Sequence, residues 1–258
     1  MDLNADLGES FGAWRIGADD ALLKLVTSAN VACGFHAGDP STMRAVCASA
    51  AARGVAVGAH VGYRDLAGFG RRHIAYQARE LSDEVLYQIT ALDGMARTSG
   101  TAVSYVKPHG ALYNTALDDP GQAGAVVAAV RAYNPDLAIL CLPDSVLQRT
   151  ATDAGLRAVR ECFLDRAYTP AGRLIPRGTP GAVITDAEAV VARAVLMATE
   201  GVVAAADGTC VAVAPESMCV HGDTPDAVHL ASRVHAALHA AGVPLAPFVA
   251  PAAPAARR

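Results

Sequence analysis

The chain has 258 residues, 52% of them hydrophobic, and a formal net charge of -4; that suffices for one α/β barrel or two small domains, and we read one. No lysine or arginine block exceeds the pair Arg71-Arg72, which argues against a nucleic-acid partner. No window reaches the ~18 uninterrupted apolar residues of a membrane span, and the residues after Met1 are acidic, unlike a signal peptide, so a cytoplasmic protein without a membrane partner is expected.

Asp2, Asn4 and Asp6 alternate with Leu3, Ala5 and Leu7, so a first strand carries three polar residues on one face. A Gly8-Glu9-Ser10 turn leaves Asp6 and Glu9 near its carboxyl end. Asp19 caps a predicted helix through about Thr27, and a strand over 30–33 ends in Gly34-Phe35-His36-Ala37-Gly38-Asp39. Pro40 opens a helix that runs to Arg53 and stops at Gly54. The strand 55–57 leads to Gly58-Ala59-His60, a glycine-bearing loop over 61–73 and a helix capped by Ser82. The strand 103–106 closes in Lys107-Pro108-His109-Gly110; a helix over 120–133 and a strand over 137–142 follow, and Pro143-Asp144 opens another helix. The strand 156–159 ends in Arg160-Glu161. Asp186 caps a helix to Glu200, and 202–205 and 210–213 flank an Asp207-Gly208 turn as in a hairpin. A last strand region ends in His221-Gly222-Asp223, with Thr224-Pro225 starting the final helix.

Alternating strands and helices with short connections mean a parallel sheet with helices outside. About seven such repeats closing on themselves give a TIM-like barrel; the rival, an open doubly wound sheet, lacks a GxGxxG after the first strand, and no GxxxxGK[ST] occurs anywhere. We expect a single barrel domain over 1–248 and a disordered tail over 249–258. The six cysteines show no CxxC and are expected to be small buried hydrophobes.

Asp6, His36, His60, Lys107, His109, Glu161 and His221 each lie just past a predicted strand. In a barrel these ends share one rim, so distant residues converge on a pocket. Asp6, His60 and His109 suit a divalent metal with open positions; without metal, the same groups form an acid/base cluster with His36 or His109 tuned by carboxylate or by Lys107. Lys107 is one of two lysines against nineteen arginines. Set extended before Pro108, it suits a phosphate or a developing oxyanion, or else a salt bridge to Asp6 or Glu161. Arg64, Arg71 and Arg72 lie in a glycine-bearing loop that either closes over an anion or is simply solvated.

Several blocks are familiar together: Asp2 to Ser10, Ser28 to Pro40, Gly58 to Tyr63 with its continuation to Arg72, Val106 to Asn114, Asp165 to Tyr168, and Cys219 to Asp223. They resemble the LamB/YcsF family over residues 1 to 248. One departure is Glu161-Cys162-Phe163-Leu164-Asp165, whose acidic positions match while Cys162 and Leu164 stand where the family more often has Gly or Val and Ala. The resemblance implies a seven-stranded TIM-like barrel akin to glycoside hydrolases and polysaccharide deacetylases, with Asp6, His60 and His109 at the deacetylases' metal-ligand positions. It also implies opening of the 5-oxo-L-proline lactam to L-glutamate, coupled to ATP hydrolysis, with ATP as co-substrate and subunits B and C as partners. The expected catalytic set is Asp6, His36, His60, Lys107 and His109; Asn4, Asn30, Arg64, Arg72, Glu161, Arg166 and His221 are expected to bind substrate. The missing P-loop suggests that partners supply the nucleotide site. Rival readings are a stand-alone metal-dependent amide or acetamido hydrolase and a non-catalytic lactam-binding component; a homo-oligomer is left open.

Overall fold

The computed structural model describes residues 1–221 and 226–251. Seven parallel strands close into a barrel: β1 (Asp2–Leu7), β2 (Ser28–Ala32), β3 (Ala56–Val61), β4 (Val103–Pro108), β5 (Ala138–Cys141), β6 (Ala158–Phe163) and β9 (Ser217–Val220), with β9 pairing back onto β1. Outside stand α1 (Asp19–Leu22), α2 (Pro40–Arg53), α3 (Ala78–Thr98), α4 (Gly110–Thr115), α5 (Pro120–Tyr133), α6 (Val146–Asp153), α7 (Ala187–Glu200) and α8 (Ala227–Ala240). The expected hairpin is an antiparallel pair, β7 (Val202–Ala204) with β8 (Cys210–Ala212), apart from the barrel sheet.

Local chemistry explains most boundaries. Asp39 accepts a hydrogen bond from the Thr42 amide at 2.8 Å with Pro40 in the first turn of α2, and Asp119 and Pro120 start α5 in the same way. Several boundaries differ from expectation. β3 and β4 run on past the expected 55–57 and 103–106, so His60 and Lys107 lie within the carboxyl ends of their strands and not past them. α1 is a single turn that contains Asp19 and is not capped by it, the cap position being Ala18, and β2 begins at Ser28, because the Ser28 hydroxyl donates to Asp2 Oδ1 at 2.7 Å and draws that residue into the sheet. α3 starts at Ala78 and not at Ser82; burying Leu81 in register with Val85, Ile89 and Leu92 adds a turn. β6 covers 158–163 in place of 156–159, so Glu161 lies inside the strand and not past it.

Alternate residues of each strand point inward. The interior is polar at the first strand, where Asn4 donates to Ser217 Oγ at 2.7 Å, and Ser217 also donates to Asp2. Tyr105 crosses it, donating to Asn30 Oδ1 at 2.7 Å. A Cβ at Gly58 would lie 2.1 Å from the Tyr105 ring, so this strand position admits only glycine opposite so large a side chain. Below, Ala56, Tyr105, Ala138, Leu140 and Val159 form an apolar cluster on which Phe248 and Val249 pack. Residue 249 therefore belongs to the barrel's underside and not to a loose tail. The expected Gly222-Asp223 turn, the Thr224-Pro225 helix start and the tail from residue 252 lie outside the described residues.

Five cysteines are buried, Cys210 is exposed, and all six thiols are free. Among the described residues, no helix is long and apolar enough to cross a membrane.

Candidate active site

The carboxyl ends of the barrel strands surround a cavity of about 480 Å³. Asp6, His60, Lys107, His109, Arg166 and His221 all line it, together with Glu9, Arg71, Tyr113 and Arg177. Residues from position 6 to position 221 thus meet in one hollow, as a parallel barrel requires.

Lys107 anchors the floor. Its Nζ lies 2.9 Å from Asp6 Oδ1 and 2.7 Å from Glu161 Oε1, 3.2 Å from Cys219 Sγ, and 5.2 Å over the Phe163 ring. Burial alone would drive the ammonium toward its neutral form, but Asp6, Cys219 and Glu161 hold its pKa well above the ordinary lysine value. Asp6 shows the converse: burial would raise it, and the charges of His60 and Lys107 hold it well below the usual carboxylate range. Asn30 donates to Asp6 Oδ1 at 2.8 Å and to Asn4 Oδ1 at 2.7 Å.

Three histidines pack beside this group. His36 stacks face to face on His109, with centroids 3.8 Å apart and ring planes 5° apart, and His60 stands edge-on to both. His60 Nε2 is 2.9 Å from His109 Nδ1 and 3.4 Å from Asp6 Oδ2. Burial first, then the neighbouring imidazoles, push His36 and His109 well below the ordinary histidine value. Gly70, at φ 62°, brings its backbone against both rings; a Cβ there would meet His36 at 2.7 Å and His109 at 2.8 Å.

Across the cavity His221 Nδ1 lies 2.7 Å from Asp165 Oδ1, and the imidazole stacks on Phe163 at 5.4 Å. Asp165 is held below its free value of 3.8 because His221, with help from Arg177, outweighs the effect of burial. An imidazole oriented by a carboxylate, with its other nitrogen left for a ligand, is the standard arrangement for proton transfer. The Tyr113 hydroxyl is buried in the same wall with no hydrogen-bond partner among the described residues.

The mouth is cationic. Arg71, Arg166 and Arg177 line it, and burial followed by the charge of Arg177 brings Arg166 down to about 10. Arg166 is fixed by donating to the Ile175 carbonyl at 2.6 Å.

Some expected site residues lie elsewhere. Asn4, Asn30 and Glu161 are buried below the cavity and do not line it; they hold Asp6 and Lys107 in place. Glu161 is there because β6 extends past it, and Lys107 compensates its burial. Arg64, 65% exposed at the side chain, pairs with Glu84 at 2.9 Å and covers Phe35 in a separate outer groove. Arg72, 67% exposed, is bound to Asp65 within its own loop. Neither reaches the cavity, because each is neutralised locally. His36 sits behind His109, not on the cavity wall. Sequence reasoning left out of its site set Glu9, whose place beside Asp6 was the signal, and Asp165, just past β6. Tyr113 lies four residues after His109 and so follows it by one helical turn. Arg177 had no signal, being in a loop without periodicity.

A closed barrel of seven strands, with carboxylates, imidazoles and a lysine converging at the strands' carboxyl ends, defines a TIM-like barrel with its chemistry at the usual rim. Residues 1–253 match the LamB/YcsF family, and the chain belongs to it. Proteins named as the A subunit of 5-oxoprolinase, from Streptomyces coelicolor and Streptomyces griseus, are 59% and 60% identical to it over 248 residues, covering 96% of this chain and 99% of theirs. The crystal structure of a lactam utilization protein from Thermus thermophilus has a TM-score of 0.91 and 47% identity, covering 96% of this chain and 99% of that one.

Proposed function

We propose that the chain is the A subunit of an ATP-dependent 5-oxoprolinase, opening the lactam of 5-oxo-L-proline to L-glutamate in a complex with subunits B and C. The observation that carries the reading is the 59% identity to a protein of that name over nearly the whole of both chains. The cavity chemistry supports it: a small anionic amide needs cations for its carboxylate, a donor for its carbonyl oxygen and a proton carrier for its nitrogen.

An unstrained five-membered lactam is a poor electrophile, and ATP can activate it. The lactam oxygen takes the terminal phosphoryl group and ADP leaves; water then adds to the ring carbon and gives up a proton. The carbon–nitrogen bond breaks, the nitrogen takes up a proton, and a second water releases phosphate. His221, oriented by Asp165, is the proton carrier in this scheme, and Lys107 with Arg166 and Arg177 balances the negative charge. No P-loop occurs in the chain, so the partners are assigned the nucleotide.

The test is glutamate formation from 5-oxoproline by the chain alone and with candidate B and C subunits, with and without ATP. Turnover only with all three subunits and ATP is expected. The double variant Lys107→Met/Glu161→Gln, which removes the buried cation with one of its two carboxylate partners, should lose at least about 100-fold in turnover. Amide hydrolysis without ATP or partners would overturn the reading in favour of a stand-alone hydrolase. Full activity in the double variant, with the fold intact, would leave the chain a lactam-binding component of the complex.

A further inference from the structure

The hydrogen bonds around His60 and His109 dictate their tautomers. His60 Nδ1 lies 3.1 Å from the Lys107 carbonyl oxygen, and His109 Nε2 lies 2.8 Å from that of Phe69. A carbonyl oxygen only accepts, so both of these nitrogens carry the hydrogen. In the neutral rings, His60 Nε2 and His109 Nδ1 are then lone pairs, yet they face each other 2.9 Å apart. Two acceptors in that position repel unless a cation lies between them.

A shared proton would satisfy those two nitrogens and leave the rest of the cluster unexplained. His36 is wholly buried, and among the described residues neither of its ring nitrogens has a hydrogen-bond partner. Its Nε2 is 3.8 Å from Glu9 Oε1, and the same oxygen is 3.9 Å from His109 Nδ1. One donor atom from each of Glu9, His36, His60 and His109 falls within 4.8 Å of all the others. Around an ion bound at 2.0–2.1 Å, tetrahedral donors stand about 3.3–3.4 Å apart, so the facing His60 and His109 nitrogens, now 2.9 Å apart, part slightly while Glu9 and His36 draw in to close this set on a metal. The carbonyl partners behind His60 and His109 are the supports that ligating imidazoles ordinarily have.

We propose that Glu9, His36, His60 and His109 bind one divalent transition-metal ion of the zinc class. This differs from the Asp6, His60 and His109 set that likeness to deacetylases implies: it is Glu9 and His36, and not Asp6, whose donor atoms gather with those of His60 and His109 within 4.8 Å, and Asp6 Oδ1 already accepts from Lys107 and Asn30. Three imidazoles and a carboxylate suit zinc over magnesium or calcium, which prefer oxygen. Such an ion is a Lewis acid at the cavity wall. The inference stands on ring geometry and is independent of the lactam reading.

The experiment uses the full chain freed of metal by chelator, titrated with Zn²⁺ and, separately, with Co²⁺. One Zn²⁺ per chain and the visible absorption of tetrahedral Co²⁺ are expected. Glu9→Gln and His36→Gln should each weaken Zn²⁺ binding by about 100-fold or more, while Asp6→Asn keeps it within about tenfold; far-ultraviolet circular dichroism in chelator confirms that each variant is folded. Binding of no Zn²⁺ by the folded wild-type chain overturns the proposal and leaves the shared proton. So does loss of binding in Asp6→Asn with retention in Glu9→Gln, which returns the ion to the Asp6 set. Both results are read without substrate, so neither depends on whether the chain opens a lactam.

Discussion

Asp165 illustrates how a buried acid stays charged. It is 1% exposed, and what keeps its carboxylate charged is the imidazole of His221 at 2.7 Å. Its pKa in the folded chain lies below the free value of 3.8, so the unfolded chain takes up this proton first as the pH drops. The stabilisation from the pair is complete above the free value and is lost as the pH falls through the folded one. Urea unfolding from pH 6 to pH 2 should show Asp165→Asn with a shallower acid-side decline than wild type. In the proposed complex with subunits B and C, the same variant should lower turnover about 100-fold with little change in KM, the mark of a residue that positions a proton carrier. An unchanged turnover would remove His221 from the reaction.

At the scale of elements, the barrel's interior depends on one exchange between neighbouring strands. β3 gives up a side chain at Gly58 so that Tyr105 of β4 can lie across the barrel and donate to Asn30 of β2. Asn30 in turn donates to Asp6, so the packing below the cavity sets the position of an acid within it. Gly58→Ala should cost about 1–3 kcal/mol or more, read as a lower unfolding midpoint. Combined with Tyr105→Leu, which clears the space, the two changes should be less harmful together than their separate effects predict. Simple additivity would mean that the strands adjust without help. β6 shows the same dependence from the other side: Arg160 and Glu161 interrupt an apolar run, and the longer strand is held by the Lys107 ammonium of β4, 2.7 Å from Glu161, and by Glu216 and the Ala214 carbonyl on Arg160.

At the scale of the whole molecule, the two ends of the barrel have opposite characters. The carboxyl end is charged and open, and the amino end is closed by Phe248, whose ring lies 4.9 Å from that of Tyr105 and whose carbonyl accepts from Arg157 at 2.8 Å. Phe248→Ala should lower stability by about 1–2 kcal/mol, since the ring is half-buried, and should leave glutamate formation by the complex unchanged; a large loss of turnover would tie the two ends together. The sequence by itself determined the repeating strand and helix order, the inward polar row of β1, the caps of α2 and α7, and the strand-end positions of Asp6, His36, His60, Lys107, His109 and His221. These follow from short-range rules, namely side-chain period, capping and turn chemistry, which act over a few residues. Only the tertiary structure decided that Glu161 lies beneath the cavity, that Arg64 and Arg72 are neutralised outside it, that Phe248 seals the barrel, and that ring nitrogens of His60 and His109 face each other. Each of those depends on a partner many positions away in the chain, and closing the barrel is the step that sets such distances.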